Sequence, residues 1–254
     1  MTAKKDHPSF PQPIEPDIKI WRYMDFTKLI AMFENNGLFF ARADMLGDPF
    51  EGSYARANEK LRPEMYAEDC KRLNIPIEKW LEGFKWVGGY NKWHRQWMMI
   101  NCWHMNKFES AAMWTLYTST NESICIQTTY NKLVNCLPES VYIGEVQYID
   151  YSKVWMPEGN LFAPYMHKRK SFDHEHEVRA ISDQSPKGPL PMESGKIPPE
   201  FGVWIIVNLH ELIERIYIAP SSPNWFRDLV EKTSLRYDFR LKVIKSSLAE
   251  EPFF

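Results

Sequence analysis

The stretch DHEHEVRAI, residues 173–181, sets two histidines among three acids ahead of an apolar end. Read as a strand, it alternates sides, so Glu175, Glu177 and Arg179 share one face while His174 and His176 take the other. Carboxylates held on one face beside a cation suit the stabilisation of positive charge that develops on a substrate. The plain alternative is a strand whose polar face is solvated or paired across the sheet. A metal nest from this stretch alone is not expected, because the histidines diverge from the glutamates. His174 and His176 would need help from His104 or His167, since catalytic zinc takes three well-placed ligands and an open position. No metal site is therefore expected.

The loop motif GDPFEG carries Asp48 and Glu51. Asp48 before Pro49 suits a turn whose backbone N–H groups it accepts. The catalytic alternative gathers Asp48, Glu51 and Glu177 around Mg²⁺, as in a metal-dependent nuclease or phosphohydrolase. In that case the basic run Lys168, Arg169, Lys170 would hold phosphate, where otherwise it is a solvated charged end. His104, in NCWHM, reads first as a buried, hydrogen-bonded histidine. Cys102 has no base partner at a known spacing, so no thiol nucleophile is expected. Trp114 and Tyr117 read as core or pocket wall before base-stacking residues.

These residues have to be placed by a scaffold. IKIWRY alternates as a strand; DFTKLIAMFENNG has apolar residues at helical spacing, Asp25 as a possible cap and Gly37 as a terminator; LFFARA reads as the next strand. Residues 54–99 are helical in tendency and rich in Trp, an expected insertion. MINCWHM, SICIQTTY, VYIGEVQYID and HEVRAI read as strands, and ESAAMWTLYTS as a helix. The Pro- and Gly-rich span 182–202 is expected to be a lid-like loop, and a strand, a short helical turn, a strand, a helix and a last strand follow to residue 248. Residues 1–17, with four prolines, form a disordered or clinging arm, and 249–254 a tail. Irregular alternation with adjacent strand pairs predicts α+β: one domain, 18–248, with a mixed or largely antiparallel sheet and a helical insertion.

With 44% hydrophobic and 25% charged residues over 254 positions, the chain can bury a substantial core. A formal net charge of −2 removes the global field of a dedicated nucleic-acid binder. No window offers the roughly 20 apolar residues of a membrane span, and MTAKKDHPSFPQP does not resemble a signal peptide. Four dispersed cysteines read as reduced thiols. Together these lead to an expectation of a cytoplasmic protein. Ten Trp, twelve Tyr and fifteen Phe imply a large aromatic core or a site that stacks planar ligands.

Taken in order, IWRY, LGDPFEG, NCWH, SAAMWTLYTSTNESICI, VQY, KRKSFDHEHEVRAI and the C-terminal IERIYIAPSS…LVEKTSLRYDFRLKVIKSSL resemble the block pattern of the domain of unknown function 2971 family. That family is uncharacterised and mostly bacterial. This chain departs from it in carrying Cys102-Trp103-His104 where members tend to have Ser after Cys-Phe, and Glu122 and Ser123 where they have Gly. The resemblance implies a bacterial or phage-associated protein and supplies no established chemistry.

A second resemblance carries chemistry. Arg22 in WRY, Thr118-Ser119-Thr120, and Glu175-His176-Glu177 stand in the order of the Arg, Ser-Thr-Ser and Glu-x-Glu motifs of arginine-type ADP-ribosyltransferases, which converge on NAD. The resemblance implies Glu177, Glu175 and Arg22 as catalytic residues. Tyr23, Tyr117, Ser119, Lys168 and Lys170 would bind NAD, and a protein or nucleic acid would be the acceptor. A carboxylate against the ribose would stabilise the oxocarbenium ion formed as nicotinamide leaves. The alternatives are the Mg²⁺-dependent hydrolase above and a non-catalytic interaction module of a phage-defence or toxin system, binding a protein through an exposed apolar surface.

Overall fold

The structure, a computed structural model, describes residues 2–254. Its first strand, β1 (Lys19–Asp25), shows how the sequence chooses faces. Ile20 and Met24 turn to one side and Trp21 and Tyr23 to the other, as a two-residue period requires. Helix α1 (Phe26–Asn35) buries Leu29, Met32 and Phe33, the i, i+3, i+4 stripe that covers the first of those faces. Two local expectations are corrected here. Asp25 makes no cap to α1, since its carboxylate accepts hydrogen bonds from the Ser119 N–H and hydroxyl and from the Ser123 hydroxyl. The left-handed residue that ends α1 is Asn36, at φ 45°, and Gly37 already opens β2 (Gly37–Arg42).

The insertion folds as α2 (Arg56–Met65), α3 (Ala67–Leu73) and α4 (Ile77–His94). After it come β3 (Met98–Met105), α5 (Ala111–Tyr117), β4 (Ser123–Thr129), α6 (Tyr130–Cys136), β5 (Val141–Glu145) and β6 (Gln147–Ile149). The rest is α7 (Ala163–Met166), β7 (His167–Arg169), β8 (Glu177–Asp183), β9 (Gly202–Ile206), α8 (Leu209–Leu212), β10 (Arg215–Ile218), α9 (Asn224–Arg236) and β11 (Lys242–Lys245). Nine of these strands form one sheet in the order β11-β10-β4-β1-β3-β2-β9, with β8 on β3 and β5 on β8. Only β10 and β11 run parallel in it, and β6 and β7 make a separate parallel pair. The chain is one α+β domain with a mixed, largely antiparallel sheet.

One sheet face carries the main core. Ile20, Leu38, Phe40, Met99, Trp103, Ile126, Val178 and Ile216 pack there against α1, α6, α8 and α9. The other face carries Tyr23, His104, Glu177 and Arg179. The N-terminal arm clings to this side of the molecule: the Lys4 N–H bonds to the Val141 carbonyl, and Phe10 is buried with Met98, Ile100 and Tyr165. It lies so close to β5 that a Cβ at Gly144 would stand 2.8 Å from the Phe10 backbone.

The sheet forks. Strand β3 pairs with β8 along Met98–His104 on one edge. Its other edge is shared: Met99 and Ile100 pair with β2, His104 and Met105 with β1. Between them, Asn101 to Trp103 face the gap where β1 and β2 diverge. Side chains bridge it, because backbone groups left unpaired inside a protein need partners. The Asn101 amide donates to the Phe39 carbonyl at 2.9 Å, and the Trp103 indole N–H donates to the Asn101 side-chain carbonyl at 2.7 Å. Arg22 reaches the same Phe39 carbonyl at 3.4 Å.

Candidate active site

The fork opens a cavity of about 560 Å³, in the range of small-molecule sites. Its walls are mostly apolar: Trp21, Met24, Met32, Phe39, Trp103 and Trp204 among them. Arg22, Tyr23, Tyr117, Glu175 and Glu177 all line it. Strand β1 brings the first pair from opposite faces, Tyr23 on the side of Glu177 and Arg22 on the core side over Trp103. The expected shared face is thereby corrected, and Arg22 meets the others only through the gap of the fork; the end of α5 brings the third residue and the entry to β8 the last two.

The entry to β8 departs from the expected strand. Lys170–Glu175 is a 3-10 turn, and His176 stands at φ 40° before β8 begins at Glu177. Glu175 therefore does not share a strand face with Glu177 by alternation. The reversal at His176 brings the two carboxylates together instead, both on Lys168: Glu175 contacts its ammonium directly and Glu177 lies 3.5 Å away. His174 and His176 are exposed. His167 is buried, with Nδ1 on the Ala163 carbonyl at 2.7 Å. Among the described residues no group of three His, Cys, Asp or Glu side chains is arranged to hold a metal.

Behind the cavity wall lies a buried charge network. Arg179, 0% exposed, grips both oxygens of Glu51 at 2.7 Å and Oε2 of Glu177 at 2.7 and 3.1 Å, and donates to the Tyr165 carbonyl. Lys168 adds contacts to Glu51, Glu175 and Glu177. The Tyr117 hydroxyl donates to Oε1 of Glu175 at 2.9 Å. Three carboxylates face two cations here, and such groups survive burial only when paired in this way. Gly52 makes the arrangement possible. At φ +71°, directly after Glu51, it passes so close to Tyr165 that a Cβ would stand 2.5 Å from the ring.

The network sets protonation. Burial alone would raise the Glu177 carboxyl, but Arg179 and then Lys168 more than offset it and hold the group below the usual carboxylate range. Its Oε2 is committed to these cations, and its other side adjoins the Cys102 thiol. Burial, and next the Glu177 charge, push that thiol well up, so it is no thiolate. Arg22 is different. Among the described residues no carboxylate meets its guanidinium and its buried Nη1 has no partner, and burial lowers the group to about 10. Trp103 lies beneath it, 5.8 Å from guanidinium carbon to ring centroid.

His104 pairs across the sheet with Glu177 and lines the same cavity. Its Nδ1 lies 2.6 Å from the Glu175 carbonyl oxygen, which only accepts, so Nδ1 carries the hydrogen. Its Nε2 is then a bare lone pair, and it has no partner among the described residues. Burial lowers the ring's proton affinity, which keeps the imidazole neutral near pH 7.

Three residues expected at the ligand stand elsewhere. Ser119 is bound to Asp25 and lines a separate groove with Thr118, Thr120 and Asn121. Lys168 is turned inward onto carboxylates, and Lys170 is exposed on the 3-10 turn. Asp48 faces Arg169 at 2.8 Å and also accepts from the Phe50 N–H at 3.1 Å, the turn role its sequence suggested. With Glu51 held by Arg179, the carboxylates Asp48, Glu51 and Glu177 do not form a free Mg²⁺ cluster.

Sequence reasoning did not assign Phe39 and Trp204, or His104, to the cavity. For His104 a signal existed: Cys102 and His104 alternate onto the face that meets Arg179 and Glu177. Among the described residues no helix is long and apolar enough to cross a membrane. No protein-family model matches the chain, and neither the curated proteins nor the solved structures hold a match to it.

Proposed function

We propose that the fork cavity binds NAD and that the protein cleaves its nicotinamide glycosidic bond, transferring ADP-ribose to an acceptor. The convergence of Arg22, Tyr23, Tyr117 and Glu177 on one apolar-walled cavity carries this reading. Arg22, a half-buried cation without a carboxylate partner among the described residues, takes the pyrophosphate. Tyr23 and the indoles of Trp21 and Trp204 offer ring faces to nicotinamide or adenine. Glu177, fixed and ionised by Arg179 and Lys168, opposes the positive charge that grows on the ribose as the C1′–N bond breaks and its electron pair leaves with nicotinamide. Glu175, held by Tyr117 and Lys168, positions the His104 side of the site through its backbone carbonyl.

Four free cysteines fit a reducing compartment, and the cytoplasm is part of this proposal. So is the block resemblance to the domain of unknown function 2971 family, which brings no chemistry of its own. The reading is tested by calorimetric titration of NAD into the wild-type protein and Glu177→Gln, with nicotinamide release followed in the same samples. Glu177→Gln should bind NAD within a few-fold of wild type and release nicotinamide at least about 10²-fold more slowly. Absence of both binding and release in the wild type would overturn it.

A further inference from the structure

The role left open by Glu177 and Arg22 is that of proton acceptor for the incoming nucleophile. Tyr117 and Lys168 occupy Glu175, Arg179 occupies Glu51, and the Cys102 thiol already holds its proton. Among the described residues that line the cavity, His104 carries a buried acceptor without a partner, its Nε2. Leaving a buried acceptor unpaired costs on the order of 1–3 kcal/mol, so a native protein that keeps one at a cavity invites a donor from a ligand.

We infer that His104 Nε2 is the general base for the acceptor, and that the acceptor is a neutral hydroxyl compound. This rests on the NAD reading of the cavity. The geometry supplies what a base needs: a ring fixed by the Glu175 carbonyl, the hydrogen confined to Nδ1, and a position across the strand pair from Glu177. The step balances without a further reactant. The C1′–N bond breaks and nicotinamide leaves with the pair; the acceptor oxygen bonds to C1′; its proton passes to Nε2, and the imidazolium later releases it to solvent. With water as acceptor the same step yields ADP-ribose.

The class of acceptor follows from the base. Burial makes His104 a weaker base than a free imidazole, with His176 and His174 nearby adding to that effect. Such a base is poorly matched to an ammonium or guanidinium, which it would have to deprotonate before attack. It is well matched to an alcohol, whose proton becomes acidic only as the C–O bond forms.

The test uses the full chain, NAD and methanol as a probe alcohol, with His104→Asn and His104→Ala. Asn keeps a side-chain donor toward the Glu175 carbonyl while removing the lone pair. We expect wild type to give methyl ADP-riboside in methanol and ADP-ribose in water, with a rate that falls on an acid limb displaced below the ordinary imidazole range. His104→Asn should bind NAD within about threefold of wild type, react at least about 10²-fold more slowly and lose that pH limb. Added imidazole should restore part of the His104→Ala rate. The limb is assigned to His104 among its titratable neighbours, Glu175, Glu177, Tyr23, Cys102, His174 and His176, by its loss in the Asn variant. If wild type turns over NAD and His104→Asn keeps both rate and limb, this inference falls while the NAD reading stands. If wild type neither binds NAD nor releases nicotinamide, both fall.

Discussion

Arg179 Nη2 lies 2.7 Å from Glu177 Oε2 on a strand where both side chains are buried. Glu51 holds the other side of the same guanidinium. Removing the guanidinium would leave three buried carboxylates facing Lys168 as their one cation, so Arg179→Met should destabilise the fold by about 3–5 kcal/mol. Arg179→Lys cannot reproduce the bidentate fork and should lie between. Urea midpoints of the two variants check this order.

Arg22 predicts the opposite balance. It is a half-buried cation that no carboxylate among the described residues neutralises, so Arg22→Met relieves a desolvation cost while keeping the volume. Thermal unfolding should show Tm unchanged or raised, while NAD affinity drops at least about tenfold by calorimetry, the loss of one charge-assisted contact. A marked fall in Tm would mean that Arg22 serves the fold rather than the ligand.

Tyr117 joins α5 to the charge network through one hydroxyl, 2.9 Å from Glu175. Tyr117→Phe keeps the ring on the cavity wall and deletes that bond, and should cost about 1–2 kcal/mol, the worth of one hydrogen bond to a buried side-chain acceptor. Retention of wild-type stability would show that solvent replaces the hydroxyl at no penalty.

His104 and His167 share a direction: burial lowers the proton affinity of both rings in the folded state. The unfolded chain, with histidines near 6.5, therefore binds more protons than the folded one in the window below that value. Stability should be level above about pH 6.5 and fall as pH drops through the window toward the depressed folded values. Denaturant titrations at pH 7 and pH 5 should show this loss, and His104→Asn should reduce it.

Phe10 ties the arm to the sheet, stacked on Tyr142 and edge-on to Phe162 beside Met98 and Ile100. Phe10→Ala should cost about 3–5 kcal/mol, the cost of emptying a large buried aromatic site. A change under about 1 kcal/mol would mean the arm detaches readily from the domain.

Much of the scaffold was legible in the sequence by itself. The two-residue period of IKIWRY and MINCWHM, the helical stripe of DFTKLIAMF and the breakers at 182–202 report local geometry, because each element must turn its own apolar side to a common core. The α+β class follows from their order, and the alternation of HEVRAI puts Glu177 and Arg179 on one strand face. What only the tertiary structure decided is where distant charges go. Lys168 sits in a basic run that reads as solvated, yet turns inward; Glu51 sits in a turn motif, yet closes on Arg179; Ser119 sits in the expected triplet, yet binds Asp25. A buried charge takes whichever opposite charge the fold brings within hydrogen-bond reach, and desolvation makes that choice strict. The fork is of the same kind. It arises where β1 and β2 share one edge of β3, a pairing among residues far apart in the chain that no local period encodes.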